Sequence, residues 1–516
     1  MIKYITAKSK GALYALCLTL LLAAALVAGC SSEPKITEEE VRARVQEEIA
    51  LLKPLYDISV DKIDVSIKDR GYTLNGVTMK SDILPQLVMR IDKVLVSGAD
   101  MNTFIGKPEG LSKYDKIAYS NMRFFYEGME VGSIGDYSCD GTELNEKDLI
   151  QALRDLKAAG QTTPEQVIKK MMPLFSTFKC AKAYGNGIKF NFMIVNASID
   201  SFELNDLSMS KYGPGHASNY QVYVMGSKVF SMEKMSFAGA EFPAFFTEMM
   251  RDPAILDGTK EPAFVKELQA DPMKAMSPFT IRNVVMDKIS VDPMLQIPVS
   301  ADKWTMDFGI VDSRLDFKTD ISNLLLTKQF MAALPDLQEI AAAVKQDLNL
   351  SGGMNFAMAT KDDPILLEGG ASVSDAGLGG GSVSISLDMP RSVYVQGYGF
   401  DDSELQRIRS FEFSVENNGL LEFLMALYAS MNSYEYESYE DVYEEVLETL
   451  YALEEEGENA FEKEAAAAMI QLVEKGGKLT MSLKPDQPIK VSDLENHSDA
   501  DLQKLGFTVL YTPPAQ

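Results

Sequence analysis

Apolar residues alternate with polar ones over long stretches of this chain. That period of two commits those stretches to β-strands with one buried and one solvated face. Ile58, Val60, Ile63, Val65 and Ile67 are separated mostly by polar residues, and Asp69-Arg70-Gly71 forms a turn into Tyr72-Thr73-Leu74. The alternation is cleanest later, at Met354, Phe356 and Met358 and at Val383, Ile385 and Leu387, with further strands over 304–310, 315–317, 411–415, 478–485 and 507–510. Two ribbon-like passages are expected, 348–373 and 382–400. Between them lies the turn Asp375-Ala376-Gly377-Leu378-Gly379-Gly380-Gly381, which has no nucleotide fingerprint.

A loose motif recurs through the first 300 residues: apolar, two mostly polar, apolar, usually Ser or Thr, apolar. Its copies are Leu74-Asn75-Gly76-Val77-Thr78-Met79, Ile91-Asp92-Lys93-Val94-Leu95-Val96, Leu204-Asn205-Asp206-Leu207-Ser208-Met209, Met232-Glu233-Lys234-Met235-Ser236-Phe237 and Met286-Asp287-Lys288-Ile289-Ser290-Val291. Each reads as a strand with a polar kink where the next strand begins. Together they suggest a degenerate hairpin repeat, against the alternative of ordinary sheet patterning.

Helices interrupt the strands. Residues 37–52 open with Thr37 at a cap and Glu40 at the capping-box position, carry Val41, Val45, Ile49 and Leu52 as an apolar stripe, and stop at Pro54. Others are expected at 146–159, 163–174, 242–250, 262–268, 328–347, 420–429, 439–453, 460–474 and 501–505, with Pro335 bending or dividing the fifth. From Ser433 to Glu464 there are 13 acidic residues and one lysine. No Asp-rich calcium loop is present, so these acids read as a solvated helix face. The expected class is α+β: elongated, mostly antiparallel β-sheet with degenerate hairpin repeats and helical inserts.

The four cysteines have three expected fates. Lys3, Lys8 and Lys10 precede an apolar run over 12–27, which ends at Val27-Ala28-Gly29-Cys30 before Ser31-Ser32-Glu33. That is the pattern of a bacterial lipoprotein signal, with Cys30 as the lipidated residue and Cys17 lost with the leader. The run is also near bilayer-spanning length, so the competing reading is an uncleaved anchor. Either one holds the body against a membrane, outside the cytoplasm. With Ser31 after the cysteine, a periplasm-facing outer-membrane location is expected in a diderm cell, and the outer leaflet in a monoderm. Cys139 and Cys180 remain; they either pair, which an extracytoplasmic compartment permits, or stay as two buried thiols. A bridge closing some 40 residues would stabilise by about 4 kcal/mol on the chain-entropy argument.

The expected organisation is 1–29 signal peptide, 30–36 lipidated tether, 37–300 β-rich repeats with helical inserts, 301–410 central antiparallel region, and 411–516 strand–helix–strand with acidic helices. The formal charge of -26 repels nucleic acid and anionic headgroups, so no nucleic-acid partner is expected and lipid would have to hold the chain at a membrane.

Phe411-Glu412-Phe413-Ser414-Val415 within 408–420, and Gly477-Lys478-Leu479-Thr480-Met481-Ser482-Leu483-Lys484-Pro485 within 465–510, resemble segments of proteobacterial envelope proteins related to the AsmA-like and YdgA-like families. Lys504-Leu505-Gly506-Phe507-Thr508-Val509 closes the resemblance. It implies a long, β-rich periplasmic body and, for some members, a part in lipid traffic or outer-membrane homeostasis. Most such proteins are anchored by an N-terminal membrane helix, from which the Cys30 pattern departs.

Little in the sequence points to catalysis. His216 and His497 are the only histidines, both read as loop residues, and no nucleophile elbow or zinc-protease motif occurs. Trp304 is the only tryptophan and reads as core. The expectation is a non-enzymatic protein without catalytic residues, metal or cofactor. Its 28 methionines, clustered at Met171-Met172, Met249-Met250 and Met273/Met276, suit either an imperfect core or an adaptable apolar groove. A groove lined by Met306, Phe308 and Ile310 with Met354, Phe356 and Met358 would take phospholipid or another long apolar ligand. The alternative is a structural lipoprotein with an envelope protein partner.

Overall fold

The structure is a computed structural model. It describes residues 36–52, 56–81, 86–106, 110–159, 170–171, 173–174, 176–252, 255, 263–292, 297–344, 346–391, 406–432, 436–457, 460–490 and 505–514. Cys30, His497, the expected short helix at 501–505 in all but its last residue, and most of the expected helix at 163–174 lie outside them. The chain divides into two compact units, Met1–Lys228 with Ser236–Lys266, and Val229–Met235 with Glu267–Gln516. Both are mixed α+β, and every described strand pairing is antiparallel.

In the first unit, helix α1 (Glu38–Leu51) begins with the expected capping box: the Glu40 amide donates to Thr37 Oγ1, and the Thr37 amide to Glu40 Oε2. Strands β1 (Tyr56–Ser66), β2 (Gly71–Ser81), β3 (Leu87–Ser97), β4 (Ser112–Tyr126), β5 (Met129–Leu144), β6 (Lys179–Phe192) and β7 (Val195–Ser208) pair in chain order. Helix α2 (Met101–Phe104) links β3 to β4, and α3 (Glu146–Ala159) follows β5. The apolar face of β2–β4 is sealed: Leu74, Ile91, Val94 and Ile117 pack with Val41, Val45 and Leu52 of α1 and Leu149 and Leu153 of α3 in one core. Short β8 (Lys211–Tyr212), β9 (Gly215–Val224), β10 (Ser227–Phe237), β11 (Gly239–Glu241) and helices α4 (Ala244–Arg251) and α5 (Ala263–Ala270) follow; residues 229–235 of β10 and 267–270 of α5 fall in the second unit. His216 lies in β9 opposite Glu203 of β7, not in a loop, because the Gly215 backbone already runs extended against β7.

In the second unit, α6 (Pro272–Ala275) precedes β12 (Phe279–Val291), β13 (Val299–Val311) and β14 (Arg314–Leu326). Then come α7 (Lys328–Ala333) and α8 (Gln338–Ala343), followed by β15 (Leu348–Ala359), β16 (Ile365–Asp375), β17 (Gly379–Met389) and β18 (Arg407–Asn417). Helices α9 (Leu420–Met431), α10 (Tyr439–Glu456) and α11 (Ala460–Lys475) separate β18 from β19 (Gly477–Leu483), β20 (Ile489–Lys490) and β21 (Phe507–Thr512). Pro335 does divide the expected 328–347 helix: a 3-10 turn at Pro335–Leu337 splits α7 from α8. The glycine-rich turn is shorter than read. Asp375 ends β16 and pairs with Gly379, so Gly379, Gly380 and Gly381 belong to β17.

The recurring motif needs the same kind of correction. Gly76, Asp206 and Lys288, each third in a copy, have φ of 61°, 49° and 53°, but they lie inside β2, β7 and β12 rather than between strands. Pairing resumes in unchanged register on either side, from Lys62↔Asn75 to Val60↔Val77 and from Asp287↔Lys303 to Ile289↔Ala301. Left-handed residues recur elsewhere in mid-strand, and a neighbouring strand answers several of them with an aspartate. Asn121 Nδ2 donates to Asp92 at 3.0 Å, Asn219 Nδ2 to Asp200 at 2.7 Å, and Asn323 Nδ2 to Asp302 at 2.7 Å. Lys288 Nζ reaches the same Asp302 at 2.6 Å, and this bond, first among its causes, holds the Asp302 carboxyl below the usual carboxylate range. In three of the five copies the polar pair thus serves a kink within a strand, where Gly, Asn and Asp tolerate positive φ best; the copies at 91–96 and 232–237 have no left-handed residue.

Candidate functional site

Register in the second unit places the alternating residues on one face. Trp304, Ile321, Gly352, Val373, Gly381 and Val415 form one cross-strand row. Met306, Thr319, Met354, Ala371, Val383 and Phe413 form the next, and Phe308, Phe317, Phe356, Gly369, Ile385 and Phe411 a third. Ile310, Leu315, Met358, Leu367 and Leu387 continue the set. The six residues expected to line a groove therefore do share a face: Thr319 pairs with both Met306 and Met354, Phe317 with Phe308 and Phe356, and Leu315 with Ile310 and Met358.

This face is covered at its margins. Phe330 and Met331 of α7 with Ala341 of α8 pack on Val299, Leu326, Leu348 and Leu350 at one end of the strands. At the other end Met273 of α6 joins Met358, Ile365, Leu367 and Met389. Along one flank, Ala468 and Leu472 of α11 lie on Val415, Leu479, Met481, Val509 and Tyr511. The middle is open. Trp304 is 36% exposed, Met354 50%, Val373 54% and Val383 39%. Trp304 is thus a rim residue, not core; its indole Nε1 donates to Thr319 Oγ1 at 2.7 Å. From β13 to β17 the open stripe crosses four strand spacings, roughly 19 Å. Its smallest side chains lie on β16, where Gly369 and Ala371 stand between Phe356 and Met354 on one side and Ile385 and Val383 on the other.

The opposite face is polar. Two depressions of about 490 and 410 Å3 lie there, the first bordered by Asp307, Asp316, Lys318, Asn355, Glu368 and Ser384, the second by Asp320, Ser372, Ser382 and Glu416. Several of their acids are already engaged: Arg282 Nη1 is 2.6 Å from Asp307 Oδ1, Arg314 Nε 2.9 Å from Asp316 Oδ1, and Lys318 Nζ 3.3 Å from Asp320 Oδ2. Among the described residues, no group of three or more His, Cys, Asp or Glu is arranged to hold a metal. Likewise, no described helix is long and apolar enough to cross a membrane.

Cys139 of β5 and Cys180 of β6 form a disulfide with Cα atoms 5.8 Å apart. They are diagonal rather than opposite, since Cys139 pairs with Ala183 and Cys180 with Thr142, and both are buried with Phe178, Phe202 and Leu204. The bridge is remote in sequence from the open stripe and serves the first unit's sheet.

That unit also buries a polar cluster that strand and helix patterning had missed. Arg44 and Glu48 face inward from α1, with Arg44 Nε 3.2 Å from Glu48 Oε1 and Nη1 donating to the Phe104 carbonyl. Glu146, the first residue of α3, is fully buried. Its Oε2 accepts from Ser112 Oγ at 2.6 Å and Tyr114 Oη at 2.7 Å, whereas Oε1 has no hydrogen-bond partner. Burial pushes its carboxyl up to about 8, outweighing the two donors and the Arg44 charge. Burial likewise raises the Tyr72 and Tyr114 phenols, with Glu48 and Glu146 adding to it respectively. The only sequence signal for this cluster was the i, i+4 placement of Arg44 and Glu48 beside Val41 and Val45.

Residues 312–511 match a family model described as "Uncharacterized protein". The matched segment runs from the β13–β14 turn to β21 and so contains β14–β19, most of the open face. No curated protein matches the chain.

Proposed function

We propose that this chain is a lipid-tethered envelope protein that holds a long apolar ligand, of the phospholipid acyl-chain class, along the open face of the second unit. The observation that carries this reading is the uncovered stripe of Trp304, Met354, Val373 and Val383 on a sheet face whose margins are sealed by helices. Contiguous exposed apolar surface is costly in water and marks a binding surface. At roughly 19 Å the stripe exceeds half the thickness of a bilayer's hydrocarbon core, about 15 Å, so one acyl chain fits along it. Methionine at Met306 and Met354 gives a pliable contact suited to chains of differing length and unsaturation. The role is binding rather than catalysis, and Cys30 supplies the membrane tether.

The test is native mass spectrometry of the protein released from its own envelope, beside Met354→Glu and Val373→Glu. Co-purifying phospholipid that both substitutions remove, without loss of the circular dichroism spectrum, supports the reading. Protein that is ligand-free and rejects lipid on mixing, while binding one stoichiometric envelope protein, replaces it with the interaction role. Acyl mass on the N-terminal peptide, and its loss in Cys30→Ala, tests the tether separately.

A further inference from the structure

Away from the sheet faces, the second unit carries an apolar groove between α9 and α10. Leu421, Leu424 and Tyr428 line it from α9, and Val442, Val446 and Leu450 from α10, around a cavity of about 490 Å3. It is open to solvent: Leu424 is 45% exposed and Tyr428 49%. The lining positions on α9 are spaced i, i+3 and i+7, and those on α10 i, i+4 and i+8, so the groove runs along the helices for two turns, roughly 11 Å.

Charge decides what fits there. Neither helix has a basic residue; α9 contributes Glu422, and α10 carries Glu440, Asp441, Glu444, Glu445, Glu448 and three more glutamates at its end. Glu445 borders the groove itself, and Glu448 stands one turn further on the same helix. No ion pair engages Glu444, Glu445 or Glu448 among the described residues, and all three are exposed. An anionic headgroup is repelled by this rim, and so is a second copy of a chain whose net charge is -26. A helix with an apolar stripe at i, i+3, i+4 and i+7 and lysine or arginine beside it satisfies both the groove and the rim.

We infer that the α9–α10 groove is a docking site for a basic amphipathic helix of a partner protein. The site is separate from the open sheet face and stands or falls independently of acyl-chain binding. The apolar anchors supply contact area, and the glutamate rim supplies orientation and a faster, salt-dependent association.

The test uses the full chain and a fluorescently labelled 18-residue peptide of leucine and lysine, with leucines at helical spacing. A peptide with glutamate in place of every lysine is the control. Fluorescence anisotropy is read at low and high salt. The expected result is one-to-one binding of the lysine peptide at least tenfold tighter than the glutamate peptide, and weaker at high salt. Leu424→Asp should weaken it tenfold or more, and Glu445→Lys with Glu448→Lys at least fivefold. Val373→Glu, on the sheet face, should leave it unchanged. Both groove variants alter exposed positions, and thermal unfolding confirms that each is folded; the rim variant keeps the test decisive if Leu424→Asp is not. Equal binding of the two peptides, indifference to the rim variant, or loss in Val373→Glu alone would overturn the inference.

Discussion

Gly369 of β16 is the register partner of Phe356 on β15, so the smallest residue of its cross-strand row lies against one of the bulkiest. A Cβ built on Gly369 meets Ile385 Cγ2 at 3.7 Å and the Asn355 carbonyl at 4.0 Å, both ordinary contacts. Gly369→Leu should therefore fold, with stability changed by no more than about 1 kcal/mol in chemical denaturation, because the new Cβ makes only ordinary contacts and glycine is a poor strand residue. The same variant should lose most of its co-purifying acyl ligand. Retained ligand would place the binding surface elsewhere.

The buried Glu146 carboxyl sets a pH dependence. Its folded-state value, about 8, lies above the ordinary carboxylate value of 4.5, so the native state binds a proton that the unfolded chain releases. The protonated carboxyl's contribution is fully present below about 4.5 and is lost as pH rises to about 8, at about 1.4 kcal/mol per pH unit at most. Glu146→Gln keeps an acceptor for Ser112 and Tyr114 and cannot ionise. Urea unfolding should show the variant close to wild type at pH 4.5 and more stable by several kcal/mol at pH 8. A difference that does not grow with pH would refute the assignment.

Arg44 and Glu48 form a pair inside the first unit's core, with side chains 9% and 6% exposed. Removing one charge takes a close counter-charge from the other inside the core, so Arg44→Met should cost roughly 3 kcal/mol. The double variant Arg44→Met/Glu48→Met should cost clearly less than the sum of the single changes. A double-mutant cycle from chemical denaturation measures the coupling, and additive losses would show that the two charges act separately.

Asn323 separates backbone from side-chain effects at the mid-strand kinks. Asn323→Gly and Asn323→Ala both delete the bond to Asp302, but only glycine accepts φ of 53° freely. Alanine should be the less stable by about 1 kcal/mol in thermal or chemical unfolding. Equal stability would mean that the kink relaxes when its side chain is lost.

Much of this architecture was legible in local pattern. A two-residue period states which side chains share a face, and register then confirmed that Met306, Phe308 and Ile310 stand with Met354, Phe356 and Met358. Thr37 and Glu40 identified a helix start, and Pro335 a break, because capping and ring sterics act within one turn. The Cys139–Cys180 bridge followed from elimination and compartment, although its diagonal placement across β5 and β6 did not. The motif's polar pair was misplaced at strand ends because a left-handed residue inside a strand and one in a turn use the same amino acids.

By itself, then, the sequence determined the mixed strand-and-helix class, the shared face of the cleanly alternating strands, the Thr37 cap and the Pro335 break, and it pointed to the cysteine pair, since each depends on neighbours in the chain or on a short choice of partners. Only tertiary structure decided coverage. The apolar face of β2–β4 lies under α1 and α3, whereas the equally apolar middle of β13–β17 is bare, and no alternation distinguishes the two. The same holds for Glu146, a surface-like first residue of a helix that packing drives into the core. Hydrophobicity fixes which surfaces seek cover, but whether cover arrives depends on where distant helices come to rest, and that is a property of the folded chain.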